Sequence, residues 1–459
     1  MKSLKTIFSL LIVAAISLSI TACNGGGTSS VDYTSNFGSS LTGGGDVNSK
    51  VGIDELENKT ITYLADYDPL ANPSVGAQLF YEKFGGKIEA VRVTRDEMYD
   101  KMAELIIAEQ SPDIFDYHWN AFPHGISRNQ YEALDDYIDL TDPIWQDVAS
   151  IADQYAWKGE HYYYPINYYV NYALIYDVDL VQNEGLEDPY ELYQNGNWTW
   201  DTMYELMTEF CSNGEDRYGY FGLQPASFIA TTGKTMVSVE PDGTIVNNLR
   251  SSEVTRAMEY IEKCNKEGLF GDRSNIWRGD TALNDGDILF YGMGIDWMVE
   301  ALSKARPDAN IFFVPFPRDP NAPVYFHNYE SVGKMVIKGS KNIEGAVAFI
   351  TCERMTQVDE ELQEEAKKRA LYPEQKVNAN GDPAYTFAWT EEQWDFKESW
   401  NVPGMFDLVF DHIYGFNAEA DTLANDMLNG MLLEGTTWTT IREETYPALQ
   451  AILDEYATN

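Results

Sequence analysis

Three stretches of the sequence set flat aromatic rings beside hydrogen-bonding side chains: Asp66-Tyr67-Asp68, His118-Trp119-Asn120, and residues 162–172, which read YYYPINYYVNY. Rings stack on flat apolar surfaces, and neighbouring carboxylates, amides and imidazoles bind polar edges, so this combination suits recognition of a small solute. Catalytic readings find little support. Asp66 and Asp68 have a spacing compatible with a glycosidase pair, but 73 acidic residues make such pairs inevitable. No G-x-S-x-G, H-E-x-x-H, Walker or G-x-G-x-x-G motif occurs. The five histidines, His118, His124, His161, His327 and His412, lack zinc-ligand spacing, and there is no D-x-[DN]-x-[DN]-G calcium loop. The expectation is a binding protein with no catalytic residues, no metal and no cofactor.

Composition narrows the partners. The chain has 459 residues, 44% of them hydrophobic and 14% aromatic, with a formal net charge of −41. It has material for large packed cores, which excludes disorder as a description of the whole. At roughly 150 residues per domain, two or three domains are expected. The acidity repels nucleic-acid phosphates and anionic lipid headgroups, so neither is an expected ligand. Lys2 and Lys5 precede an apolar run, residues 7–20, too short for a membrane span but suited to a signal-peptide core. The run ends in Ile20-Thr21-Ala22-Cys23, which resembles the lipobox of bacterial lipoproteins. That resemblance implies a signal peptide over residues 1–22 and lipidation of Cys23, which would anchor the protein to the outer face of the cell membrane. Gly25-Gly26-Gly27 and Gly43-Gly44-Gly45 make residues 23–58 read as the lipidated Cys and a flexible linker. Cys211, Cys264 and Cys352 show no CxxC spacing and read as small buried thiols.

The elements that must position the aromatic and polar sets follow from period and punctuation. Thr60–Ala65 reads as a strand with Asp66-Tyr67-Asp68-Pro69 as the loop after it. Asn72-Pro73 fits a helix start, Gly85-Gly86 ends that helix, and residues 87–93 form a second strand. Thr94-Arg95-Asp96-Glu97 fits a capping box, opening a helix with Met98, Met102, Leu105 and Ile106 on one face. Ser111-Pro112 stops it and Asp113-Ile114-Phe115 begins a third strand, so His118-Trp119-Asn120 follows a strand end. Strand, helix, strand, helix, strand predicts an α/β layer with a parallel sheet. Three sets repeat the i, i+3, i+4, i+7 spacing of core-facing helical stripes. They are Ile343/Ala346/Val347/Ile350, Phe406/Val409/Phe410/Ile413 and Leu449/Ile452/Leu453/Tyr456.

Ordered motifs run through the body. They are Ser111-Pro112-Asp113-Ile114-Phe115; Gly159-Glu160-His161-Tyr162-Tyr163-Tyr164-Pro165; Ala173-Leu174-Ile175-Tyr176-Asp177; Asn197-Trp198-Thr199-Trp200-Asp201; Gly292-Met293-Gly294-Ile295-Asp296-Trp297; and Val336-Ile337-Lys338-Gly339-Ser340-Lys341-Asn342. In this order they resemble segments of the extracellular solute-binding proteins of ABC importers, in the carbohydrate-type branch (family 1). The resemblance covers about residues 59–457, with Asp177 where Asn is usual. It implies an α/β, two-lobed, periplasmic-binding-protein-like (type II) fold with a hinge and an interlobe cleft. It places chain crossings near residues 165–171 and 328–334. The N-terminal lobe would be 59–166 plus 333–373, and the C-terminal lobe 167–332 plus 374–459. The lobes would close on a captured solute.

For that family the expected ligand is a carbohydrate, an oligosaccharide or related polyhydroxy solute, handed by a monomeric receptor to permease subunits in the membrane. Sugar rings need stacking aromatics and hydrogen-bonding groups on loops after parallel strands. This selects Asp66, Tyr67 and Asp68, and His118, Trp119 and Asn120. An extended run over residues 162–172 alternates its faces, so at most half of its rings reach the cleft. Asn167 and Tyr169 are the contacts chosen there. The resemblance adds Asp296 with Trp297, and His327 and Glu330 at the second crossing, and it reads Trp198 and Trp200 as packing. A binding protein for a peptide or polyamine, and a surface glycan-adhesion lipoprotein without a transporter, stay open.

Overall fold

The computed structural model describes residues 55–71, 73–222, 225–271, 283–373 and 385–457, with isolated positions before residue 55; within these, the side chains of Pro225, Trp297, Glu365 and Arg369 are not described. The expected signal peptide, Cys23 and most of the linker lie outside the described residues.

Two sheets carry the fold. The first has five strands in the spatial order Lys87–Arg92, Thr60–Ala65, Ile114–Asp116, Glu330–Val336, Tyr164–Tyr169. Its first three strands pair in parallel, with Thr60 opposite Lys87 and Tyr63 opposite Ile114, as the strand–helix alternation predicts. The helix between the first two, Val75–Phe84, is capped by Ser74, whose hydroxyl accepts the Ala77 N–H at 3.0 Å. The cap is therefore Ser74 and not Asn72. Thr94 also departs from expectation. Its hydroxyl donates to the Glu97 carboxylate at 2.7 Å instead of capping backbone N–H groups. A short 3₁₀ turn, Arg95–Glu97, precedes the helix Met98–Ile107.

Long-range side-chain caps lock this layer. The Asp113 carboxylate accepts from the Thr62 N–H and hydroxyl, both at 2.8 Å, and from the Ser340 hydroxyl at 2.6 Å. Asn342 caps the helix Ile343–Val358 and donates to the Thr60 carbonyl at 2.9 Å. These contacts join the Pro112-Asp113-Ile114 and Ser340-Lys341-Asn342 motifs across the sheet.

The second sheet has the order Ile311–Pro315, Tyr172–Asp177, Ile288–Gly294, Tyr218–Gly222. Asp177 ends its second strand and caps the next helix, accepting the Asp179 N–H at 3.0 Å and pairing with Arg306 at 3.0 Å. Trp198 and Trp200 pack as the resemblance implies: Trp198 Nε1 donates to the Pro315 carbonyl at 2.8 Å, and Trp200 Nε1 to the Thr231 hydroxyl at 3.1 Å. The chain passes from the first sheet to the second through Val170 and Asn171, between Tyr164–Tyr169 and Tyr172–Asp177. It returns through Tyr329, which separates Phe326–Asn328 from Glu330–Val336. The result is two α/β lobes.

One predicted helix is absent. Val409 ends a strand, Asp407–Val409, with Phe406 just before it and Phe410 just after it, and Ile413 lies in a 3₁₀ turn, His412–Gly415. The strand pairs in parallel with Phe326–Asn328, a partner about eighty residues away that local spacing does not reveal. The turn packs against the other lobe. A Cβ on Gly415 would fall 2.0 Å from the Phe122 carbonyl oxygen, so this approach needs glycine. Beyond it the helices Ala418–Leu432 and Trp438–Ala457 pack together, and the Tyr456 hydroxyl donates to the Phe416 carbonyl at 2.6 Å.

Candidate functional site

Between the lobes lie an inner cavity of about 270 Å³ and an outer one of about 770 Å³. Both are lined by Tyr117, Trp119, Glu330, Phe410, Tyr414 and Asp421, so they form one cleft with two chambers. One wall is the segment directly after the strand Ile114–Asp116. Tyr117 is held by rings on either side, 5.1 Å from Tyr155 and 4.7 Å from Tyr163. Trp119, on a 3₁₀ turn, is 58% exposed and free to stack.

The opposite wall comes from the C-terminal region. Phe410 packs on Tyr155 and Tyr329 at 5.3 and 5.6 Å, and Tyr414 meets Trp119 with ring centroids 5.5 Å apart. Asp411 pins this wall. Its carboxylate accepts the N–H groups of Met236, Val237 and Ile413 at 2.7, 3.2 and 3.1 Å. Burial nevertheless pushes its pKa up to about 6, because three backbone dipoles only partly replace lost hydration.

At the crossings, the Glu330 carboxylate accepts from Asn171 Nδ2 at 2.9 Å, and Asn171 Oδ1 accepts the Asp296 N–H at 3.3 Å. Burial, then the Glu330 charge, push the Tyr169 and Tyr172 hydroxyls above their ordinary range, so both stay neutral and able to donate. Behind the first wall, Asp116 accepts from the Tyr63 and Tyr67 hydroxyls at 2.6 and 2.8 Å and pairs with buried Lys334. Burial alone would raise the Asp116 carboxyl, but the Lys334 charge together with hydrogen bonds from Lys334, Tyr63 and Tyr67 outweighs it and holds the pKa below the usual value.

Of the residues selected from sequence, His118, Trp119, Asn120, Tyr169 and Glu330 line the cleft. His118 is held below its ordinary pKa by burial and by Arg95, so it stands there as a neutral ring. The others are occupied elsewhere. Asp66 pairs with Arg95 at 3.1 Å, behind the outer chamber. Tyr67 is spent on Asp116, and Asp68 pairs with Arg92 at 3.6 Å and accepts the Leu70 N–H at 3.0 Å. Asn167 turns its amide oxygen back to the Tyr168 N–H at 2.8 Å. Asp296 is exposed and pairs with Lys397 at 3.1 Å. His327 is wholly buried away from the cleft; its Nε2 accepts the Phe316 N–H at 3.2 Å, Nδ1 bonds the Asn328 carbonyl at 2.6 Å, and burial lowers its pKa to about 4. The Trp297 side chain lies outside the described residues.

The lining also holds residues that the sequence reading did not select: Tyr117, Tyr172, Phe410, Tyr414 and Asp421. Tyr172 sits within a stretch already recognised as aromatic-rich, and Tyr117 directly precedes another. Tyr414 and Asp421 carry no local signal, being brought to the cleft by packing of the chain's last fifty residues.

The family model for bacterial extracellular solute-binding proteins matches residues 77–397. Among solved structures, the chain resembles an ABC substrate-binding protein from Listeria monocytogenes in complex with cycloalternan, at 16% identity and TM-score 0.60, over 86% of this chain and 100% of that one. It also resembles the sugar-binding protein MalE from Xanthomonas citri, at 16% identity and TM-score 0.62, over 86% and 98%. A third is the ABC transporter associated binding protein from B. animalis subsp. lactis in complex with beta-1,6-galactobiose, at 18% identity and TM-score 0.54, over 87% and 98%. No curated protein sequence matches. With the family model covering more than half of the chain, this protein belongs to the bacterial extracellular solute-binding proteins.

Proposed function

We propose that the protein captures a carbohydrate in the interlobe cleft and delivers it to the permease of an ABC importer. The observation that carries this is the lining of one cleft by Tyr117, Trp119, Tyr172, Phe410 and Tyr414 together with Glu330, Asp421 and Asn328. Rings to stack and polar groups to bind hydroxyls are what a sugar needs. Solved structures of similar fold include proteins described with cycloalternan and beta-1,6-galactobiose, which supports the same reading. The body binds, closes and releases as a monomer, and performs no reaction. The lobes proposed are 59–166 plus 333–373 and 167–332 plus 374–459, tethered by residues 23–58 and anchored through lipid on Cys23 after removal of residues 1–22.

Titration calorimetry of the mature chain against mono- and oligosaccharides, peptides and polyamines tests the ligand class. A specific oligosaccharide should raise stability by about 2.7 kcal/mol at 100 times its Kd. If only peptides or polyamines bind, the carbohydrate reading falls. Small-angle scattering separates a transport receptor, which contracts on ligand, from a rigid adhesin, which does not. Labelled palmitate should mark the wild-type chain and not Cys23→Ala.

A further inference from the structure

Charge along the cleft is one-sided. Asp96, Glu330 and Asp421 contribute carboxylates to its lining, while the Asp411 carboxylate is turned onto backbone N–H groups, and Arg95 is the one guanidinium there among the described residues. Asp66 already neutralises Arg95 at 3.1 Å, and His118 is depressed toward its neutral form. Glu330 and Asp421 take hydrogen bonds from amides, Asn171 Nδ2 at 2.9 Å and Asn425 Nδ2 at 3.0 Å, which leaves their charge uncancelled.

The inner chamber adds a second feature. Tyr329, 2% exposed, and Asn328 both line it; the Tyr329 hydroxyl interacts with that of Tyr155, and Asn328 Oδ1 is buried with no hydrogen-bond partner among the described residues. Buried polar atoms without partners are rare in native proteins. Both side chains are neutral and add no cation to the lining.

We infer that the cleft selects its solute by charge: it takes neutral or ammonium-bearing sugars and rejects those carrying uronate or sulfate, with Glu330 and Asp421 imposing the choice. This rests on the carbohydrate reading above. A carboxylate on the ligand would lose hydration on entry, meet like charge on both sides and find no unpaired cation among the described lining residues. Such repulsion and desolvation give specificity by penalising the wrong partner. Glu330 is the stronger determinant, since it is half-buried at the crossings whereas Asp421 is exposed on the first turn of its helix.

The test is calorimetry of the mature chain with maltotriose, cellotriose and a β-galactotriose. Each is offered in three matched forms: neutral, with one primary alcohol oxidised to carboxylate, and with one 2-hydroxyl replaced by an amine. In a series that binds, the carboxylate form should be weaker than the neutral form by about tenfold or more. That gap should narrow at raised salt, which screens the exposed part of the field, and in Glu330→Gln and Asp421→Asn. Asp421→Asn keeps the reading available should Glu330→Gln misfold. A carboxylate form that binds as well as its neutral counterpart overturns the inference while the carbohydrate reading stands, and so does a gap that both variants leave intact. If no sugar form binds and a peptide or polyamine does, the carbohydrate reading fails and takes this inference with it.

Discussion

Behind one wall of the cleft, Asp116 is surrounded by Lys334, Tyr63 and Tyr67. On the other wall, Asp411 has the backbone N–H groups of Met236, Val237 and Ile413. Both carboxyls suffer burial, which favours the neutral acid, yet one ends below its ordinary pKa and the other rises to about 6. A full cation joined by two tyrosine hydroxyls outweighs lost hydration where three peptide dipoles do not. The two walls are therefore anchored by carboxylates that respond to pH in opposite directions.

Removing the cation is the strongest way to break that contrast. Lys334→Met should cost about 3–5 kcal/mol in urea unfolding at neutral pH, because it strands the Asp116 charge. Adding Asp116→Asn should recover most of the loss. A loss below about 1 kcal/mol would mean that solvent already screens Asp116.

A pH series sharpens the contrast from the other side. The folded protein holds a proton on Asp411 up to about pH 6, whereas the unfolded chain releases it near 3.8. The stabilisation from this group is thus complete below pH 3.8 and lost as pH rises through about 6. It amounts to at most about 3 kcal/mol. Asp411→Asn should flatten that part of the stability curve relative to wild type, and parallel curves would refute the assignment. Asp116 contributes with the reverse sign: its stabilisation is present above its ordinary pKa of 3.8 and fades as pH falls through the lower value in the fold.

The smallest expected effect concerns the rings where the walls meet. Trp119→Ala should weaken sugar binding by about tenfold to a hundredfold with little change in stability, since the ring is largely exposed. Tyr414→Ala should do less. Because the two rings touch, the double variant should depart from additivity by about 0.5–1.5 kcal/mol. Strict additivity would mean that the walls hold separate subsites.

The same two walls show what the sequence makes legible. Trp119 is found by local reasoning, because capping, helix period and Ser111-Pro112 place a strand before it and a loop at its end. Phe410 and Tyr414 are not. Phe410 belongs to an apolar spacing that imitates a helix, whereas pairing of Asp407–Val409 with Phe326–Asn328 and the Asp411 bonds to Met236 and Val237 hold that segment otherwise, and Tyr414 carries no local signal. Asp66, Tyr67 and Asp68 fail for a related reason. The loop lies where the parallel-strand rule puts it, but Arg95, Asp116 and Arg92 absorb its polar groups. Position after a strand can be read from a sequence, whereas which partner claims a carboxylate depends on the assembled fold.

The links through Val170–Asn171 and Tyr329 are too short to hold slack. Lobe closure as proposed would therefore be a twist of a few backbone bonds at these links, which would act as torsion rods between stiff plates. The hydrogen bond of 2.9 Å from Asn171 to Glu330 fastens one rod to the other. A solute held by Glu330 as proposed would act at the pivot, where a small change of angle becomes a long stroke at the rim of the molecule.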